Sequence, residues 1–196
     1  MPLIQKIKKQ DSQIAIWKIN ESLNELILSS KNLNVSKFKT EKGKKEFLAS
    51  RLLVNELLPN TNISYNTYGS PEIQTNDFIS ISHSKDLAAI IISKYNVGLD
   101  IEEISEKPLR LSSKFISKDR HNHLSKEKAT LIWCCKEAIY KWHQKGNVDF
   151  ISDIKISPFI IKDKGELIAK FKNQKLTLQY KKIDTHFLAY VCRRNY

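Results

Sequence analysis

An α+β chain of two halves is predicted by three observations: an opening strand-like alternation that gives way to a long helical stripe, a trio of short apolar runs in the middle, and a second helical stripe followed by alternating segments to the end. Residues 13–19 alternate as a half-buried strand does, and residues 21–28 shift to helical spacing. Residues 40–58 place Phe47, Leu48, Leu52, Leu53, Leu57 and Leu58 on one broad stripe that Pro59 stops, which predicts a helix. After the turn signal at residues 68–71, two apolar runs at 78–81 and 87–92 predict neighbouring strands, with the polar residues 82–86 as their connection. A further strand is expected over 97–102. Beyond Pro108 helical spacing returns, clearest at 126–144, where Leu131, Ile132, Ala138, Ile139 and Trp142 form the apolar stripe. From Phe150 the pattern reads as an antiparallel sheet with a turn at residues 163–165. The changeover near residues 97–108 divides the chain into residues 1–98 and residues 99–196, and no repeat is visible between them.

Composition narrows the class. The 196 residues with 41% hydrophobic content are enough for a packed core, and five glycines and five prolines leave no linker or low-complexity tract. Met1 to Lys6 lacks the apolar run of a leader peptide, and no later stretch has the length to cross a bilayer, so the cytoplasm is the expected compartment. Cys134, Cys135 and Cys192 match neither a disulfide framework nor a zinc spacing and are read as reduced thiols. The formal charge of +12 suits an anionic partner, whether nucleic acid, a polyphosphate ligand or an acidic protein; a merely lysine-rich composition is the plain alternative.

Three short stretches carry chemistry. In Val97-Gly98-Leu99-Asp100-Ile101-Glu102, a strand projects Asp100 and Glu102 to one face and Leu99 and Ile101 into the core, while Gly98 admits a close ligand or backbone. Two adjacent carboxylates repel unless a cation lies between them. In Trp133-Cys134-Cys135-Lys136-Glu137-Ala138-Ile139-Tyr140-Lys141, the residues Trp133, Glu137 and Lys141 recur every four positions and share a helical stripe; taken alone this is an ordinary surface ion pair. In Ile79-Ser80-Ile81-Ser82-His83-Ser84, hydroxyls, an imidazole and backbone N–H groups at a strand end suit phosphate oxygens. His121 and His123 are read as surface residues of a lysine-rich helical stretch and given no role.

Together these stretches resemble the surfactin-type branch of the 4′-phosphopantetheinyl transferase superfamily, whose Gly-Ile-Asp-x-Glu strand, Trp-x-x-Lys-Glu-Ala helix and Ser-His-Ser element they match in order. Residues 47–53, Phe-Leu-Ala-Ser-Arg-Leu-Leu, are similar to that family's arginine-bearing helix. The chain departs from it where Gly69-Ser70-Pro71 replaces Gly-Lys-Pro, so Lys37, Lys39, Lys42, Lys44 and Lys45 are candidates for the missing lysine.

The resemblance implies a pseudo-twofold pair of α+β halves with coenzyme A in the cleft between them. It further implies transfer of the 4′-phosphopantetheine arm of coenzyme A to a serine of an apo acyl or peptidyl carrier protein, with Mg²⁺, or Mn²⁺ in its place, as cofactor. By the same resemblance Asp100, Glu102 and Glu137 hold the metal; Asp100, Glu137 and Lys141 are catalytic, Glu137 being the nominated base with Glu102 or a metal-bound hydroxide as alternatives, since a metal-bound carboxylate is a poorer proton acceptor; and Arg51, Pro71, Ser82, His83 and Lys141 bind the coenzyme. The implied protein is a cytoplasmic monomer with an acidic carrier as partner and no nucleic acid or membrane. A coenzyme-binding homologue without activity and a basic nucleic-acid-binding module are the alternatives.

Overall fold

The computed structural model describes residues 3–31, 33–117, 121 and 123–193. Its first sheet has the order β1-β2-β6-β5, from β1 (Leu3–Lys8), β2 (Ser12–Lys18), β5 (Phe78–Ser84) and β6 (Leu87–Ser93). Between β2 and β5 lie helices α1 (Leu23–Ser29) and α2 (Glu41–Leu57) and the small hairpin of β3 (Ile63–Tyr65) with β4 (Pro71–Ile73). The second sheet begins with β7 (Val97–Glu103), continues after α3 (Glu106–Arg110) and α4 (Lys126–His143), and adds β8 (Ile154–Ile156), β9 (Lys164–Phe171), β10 (Gln174–Ile183) and β11 (His186–Cys192) in the order β7-β11-β10-β9-β8. The mixed α+β class is the one that the periodicity predicts.

Strand parity builds four layers. Alternate residues of β2, β5 and β6, among them Trp17, Ile79, Ile90 and Ile92, meet Leu48, Leu53 and Val54 of α2. The opposite face, with Ile14, Ile16, Ala89 and Ile91, packs on Val97, Leu99, Ile101, Leu188 and Tyr190 of the second sheet. Beyond that sheet, α4 lays Leu131, Ile132, Cys135, Ala138 and Ile139 on Phe187, Ala189 and Leu178. Each sheet thus has one helix-covered face and one sheet-covered face, and a fully buried Leu or Ile at these positions contributes about 1.5–3 kcal/mol.

Helix ends are locally specified. The Thr40 hydroxyl accepts from Gly43 N at 3.1 Å to cap α2, and Ser125 accepts from Lys128 N at 3.1 Å to cap α4. Gln144 at φ 59° closes α4 in the left-handed region. Lys136 is buried inside α4, with its ammonium donating to the carbonyls of Phe150 and Ile154, which ties the segment after α4 to the helix.

Two features lock β7 in place. On one side Gly98 lies so close to α4 that a Cβ there would stand 1.9 Å from the Ala138 carbonyl oxygen and 2.4 Å from Trp142 N. On its free edge, β7 faces β5. There the hydroxyls of Ser80, Ser82 and Ser84 accept from the backbone N–H groups of Leu99, Ile101 and Glu103 at 2.9, 3.3 and 2.9 Å. Three alternate serines thus replace a backbone ladder between two sheet edges and give buried donors their partners. For this reason β5 runs through Ser84, and the connection to β6 is only the pair Lys85-Asp86, with Lys85 at φ 54°. The expectation that residues 82–86 form the connection is corrected accordingly.

Candidate active site

Asp100 and Glu102 both face α4, as the period of two requires. Asp100 is 3% exposed. Its Oδ1 accepts from Ser82 Oγ at 2.7 Å and from Lys141 Nζ at 2.7 Å, and its Oδ2 is buried with no hydrogen-bond partner. Trp133, one turn ahead of Glu137 on α4, donates from Nε1 to Glu102 Oε1 at 3.0 Å while packing between the rings of Phe115 and Phe150. The stripe Trp133–Glu137–Lys141 is therefore turned toward β7, and Lys141 pairs with Asp100 across the strand–helix contact.

Electrostatics tie the three carboxylates together. Burial, and next the charge of Asp100, push Glu102 up to about 7; the Trp133 hydrogen bond and Lys141 oppose this. Burial and then Asp100 likewise push Glu137 up to about 7, with Lys141 pulling the other way and Glu102 adding to the rise. Among the described residues no three His, Cys, Asp or Glu side chains are grouped closely enough to hold a metal ion as a set. The Lys141 ammonium supplies the positive charge beside Asp100, and Glu102 is held by Trp133. The bare, buried Oδ2 and two carboxylates whose charged forms are disfavoured by burial and by the charge of Asp100 nonetheless fit a hard cation, which prefers oxygen donors and completes its shell with water and substrate phosphates.

A stability prediction follows with a definite sign. An unfolded glutamate titrates near 4.5 and folded Glu102 near 7, so the folded state holds the extra proton between those values. Its stabilising effect is complete below about 4.5 and is lost as pH rises through 7, on the order of 3 kcal/mol. In EDTA, Glu102→Gln is expected to melt above the wild type at pH 8 and to lose that advantage by pH 5. Parallel melting curves for the two proteins across this range would remove the strain assigned to Glu102.

A hollow of about 290 Å³ opens beside this cluster, walled by Tyr65, Pro71, Ser80, His83, Tyr140 and Lys141 among others. Pro71, His83 and Lys141 are thereby brought together. Ser82 is not in that wall; its hydroxyl, expected to face phosphate, is spent on Asp100 and the Ile101 amide. Arg51 stands in a neighbouring hollow of about 690 Å³ that shares Tyr65 with the first. Its guanidinium lies 4.0 Å from the Phe47 ring centre and donates to Tyr65 Oη at 2.8 Å. The wall of the first hollow contains none of Lys37, Lys39, Lys42, Lys44 or Lys45; Lys37 lies over Phe47, and Lys42 is 3.6 Å from Glu46.

The decisive likeness spans this cluster. Residues 96–192 match the family model described as the 4′-phosphopantetheinyl transferase superfamily, a span that holds Asp100, Glu102, Glu137 and Lys141. Over residues 96–192 the chain belongs to the 4′-phosphopantetheinyl transferase superfamily. It is also 31% identical over 111 residues to the 4′-phosphopantetheinyl transferase gsp of Aneurinibacillus migulanus, an alignment covering 52% of this chain and 47% of that protein. The chain thus spans about half the length of the curated relative it matches.

Some residues of this superfamily member escaped the sequence reading. Glu46, 9% exposed, places Oε2 3.4 Å from His83 Nδ1, and Tyr65 and Tyr140 join the pocket wall. Glu46 lies one residue before the arginine-bearing stretch 47–53, and its burial was the missing signal. His121 is corrected: it is buried, 8% exposed, with its ring 5.9 Å from that of Phe159, and residues 118–120 and 122 around it lie outside the described residues. His123 is exposed, at φ 53°.

Proposed function

We propose that this protein is a 4′-phosphopantetheinyl transferase that moves the phosphopantetheine arm of coenzyme A onto a serine hydroxyl of an apo acyl or peptidyl carrier protein, releasing 3′,5′-ADP. The observation that carries this reading is the pairing of buried Asp100 with the partly exposed Lys141, flanked by Glu102 and Glu137, beside a pocket walled by His83 and Lys141. The superfamily match and the activity for which the relative is named support it.

In this reading the coenzyme lies between the halves, residues 1–98 contributing Arg51, Pro71 and His83 to its nucleotide end and residues 99–196 the carboxylates and Lys141. Asp100, Glu102 and Glu137 would hold Mg²⁺, which when bound neutralises the diphosphate and stabilises the departing charge of 3′,5′-ADP. Lys141 sits at the pocket wall and at 2.7 Å from Asp100, so it can turn from the carboxylate to a phosphate oxygen as the coenzyme enters. Glu137 accepts the proton of the carrier serine as the new O–P bond forms and the bond to 3′,5′-ADP breaks. Burial and the charge of Asp100 push Glu137 up to about 7 in the metal-free site, and a bound cation would lower it. The surplus of basic side chains, +12, favours an acidic carrier as partner.

Incubation of an apo acyl carrier protein with this protein, coenzyme A and Mg²⁺ is expected to add the mass of one phosphopantetheine, and EDTA to prevent it. Unmodified carriers across fatty-acid, polyketide and nonribosomal-peptide types would reject the transferase reading in favour of coenzyme binding alone. No described helix is long and apolar enough to cross a membrane.

A further inference from the structure

Asp100 uses its two oxygens unequally. Oδ1 accepts from both Ser82 Oγ and Lys141 Nζ, each at 2.7 Å, whereas Oδ2 is buried and bare. Two donors on one oxygen fix the rotation of the carboxylate. Ser82 is itself constrained: the Ile101 N–H donates to its Oγ at 3.3 Å, and the residue is 5% exposed, so its one proton is directed to Asp100. Ser84 makes the useful contrast. It is another rung of the same β5–β7 contact, accepting from the Glu103 amide at 2.9 Å, with its hydroxyl bonded to backbone and not to Asp100.

We propose that Ser82 is a positioning residue of the metal site: together with Lys141 it pins Oδ1 of Asp100 and so presents Oδ2 as the oxygen that meets a divalent cation. The role rests on the transferase reading above. It differs from the phosphate contact that the Ser-His-Ser resemblance implies, because Ser82 acts through the carboxylate. When Lys141 turns to a phosphate during binding, Ser82 remains as the donor that keeps Asp100 aimed. Groups one step removed from a metal that orient its ligand are typically worth about 10- to 100-fold in metal affinity.

The test titrates Mn²⁺ into full-length protein at a fixed concentration of coenzyme A, with bound metal read by electron paramagnetic resonance, for wild type, Ser82→Ala, Ser82→Thr and Ser84→Ala. Ser82→Ala is expected to weaken Mn²⁺ binding by about tenfold or more. Ser82→Thr, which keeps the hydroxyl, restores it, and Ser84→Ala stays within about twofold of wild type even though it also loses one rung. In transfer assays the metal concentration for half-maximal rate rises in Ser82→Ala much more than kcat at saturating metal falls. Should Ser82→Ala fail to fold, Ser82→Cys, with its weak S–H donor and similar volume, carries the same comparison. Wild-type affinity in Ser82→Ala, or equal weakening in Ser84→Ala, overturns the proposal while leaving the transferase reading intact. Carrier modification that proceeds in EDTA, with no saturable Mn²⁺ binding by wild type, overturns the metal assignment and this role together.

Discussion

Gly98→Ala is expected to destabilise the protein by at least about 3 kcal/mol, the upper end of ordinary overpacking, and to lower its melting temperature by roughly 10 °C. The backbone at Gly98 carries no left-handed φ, so alanine costs nothing in conformation there. The cost comes entirely from contact. An added Cβ would stand 1.9 Å from the Ala138 carbonyl oxygen, 2.4 Å from Trp142 N and 2.8 Å from Trp142 Cβ. Two of these are backbone atoms of α4, which cannot rotate away as a flexible side chain would. Relief therefore requires α4 to shift bodily from β7. Asn96 resists this, since its Nδ2 donates to the Trp142 carbonyl at 2.7 Å. The helix that must shift also carries Trp133, Glu137 and Lys141, so the bonds to Glu102 and Asp100 stretch or break. Transfer activity should fall even at temperatures where the variant remains folded. A melting temperature within about 2 °C of wild type, with normal activity, would contradict the close packing of β7 on α4.

Gly98 also illustrates how far the sequence could be read. A glycine before two same-face carboxylates indicates that something comes near, but a glycine does not name its neighbour. The neighbour proves to be helix backbone from about 40 residues downstream. The facing of Asp100 and Glu102 was legible because strand parity is local, and the alignment of Trp133, Glu137 and Lys141 because helical spacing is local. What the stripe meets is not local. Lys141 finds Asp100 at a separation of 41 residues, and Lys136, equally charged on the same helix, turns the other way to clamp the carbonyls of Phe150 and Ile154.

The serines were misread for a related reason. Ser82 and Ser84 look like loop chemistry because polar residues after an apolar run usually mark a connection. Here they continue β5, since another strand's unpaired N–H groups lie alongside and require acceptors. His121 shows the reverse error, a histidine in lysine-rich surroundings that is buried against Phe159. In both cases a tertiary partner overrode the local composition.

Glu137→Gln is expected to reduce transfer on the order of 10³-fold, within the range for loss of a general base, while coenzyme A binding changes by no more than a few fold. The two effects separate because the amide keeps the size and the hydrogen-bonding reach of the carboxylate but neither accepts a proton nor carries charge. His83, Pro71 and Lys141, which wall the pocket, are untouched by the substitution, so the phosphate contacts survive. The variant removes the negative charge that burial, Asp100 and Glu102 disfavour at position 137. It should also melt higher than wild type above pH 7 in EDTA, because the unfolded glutamate ionises near 4.5 and the folded one only near 7. A merely structural carboxylate would give a different combination: a lower melting point and a rate loss in proportion to the fraction unfolded. Measuring the transfer rate, coenzyme affinity and melting temperature on the same preparation distinguishes the two. Near-normal turnover, with the serine proton evidently finding another acceptor, would take Glu137 out of the mechanism and leave Glu102, held by Trp133 at 3.0 Å, as the carboxylate to substitute next.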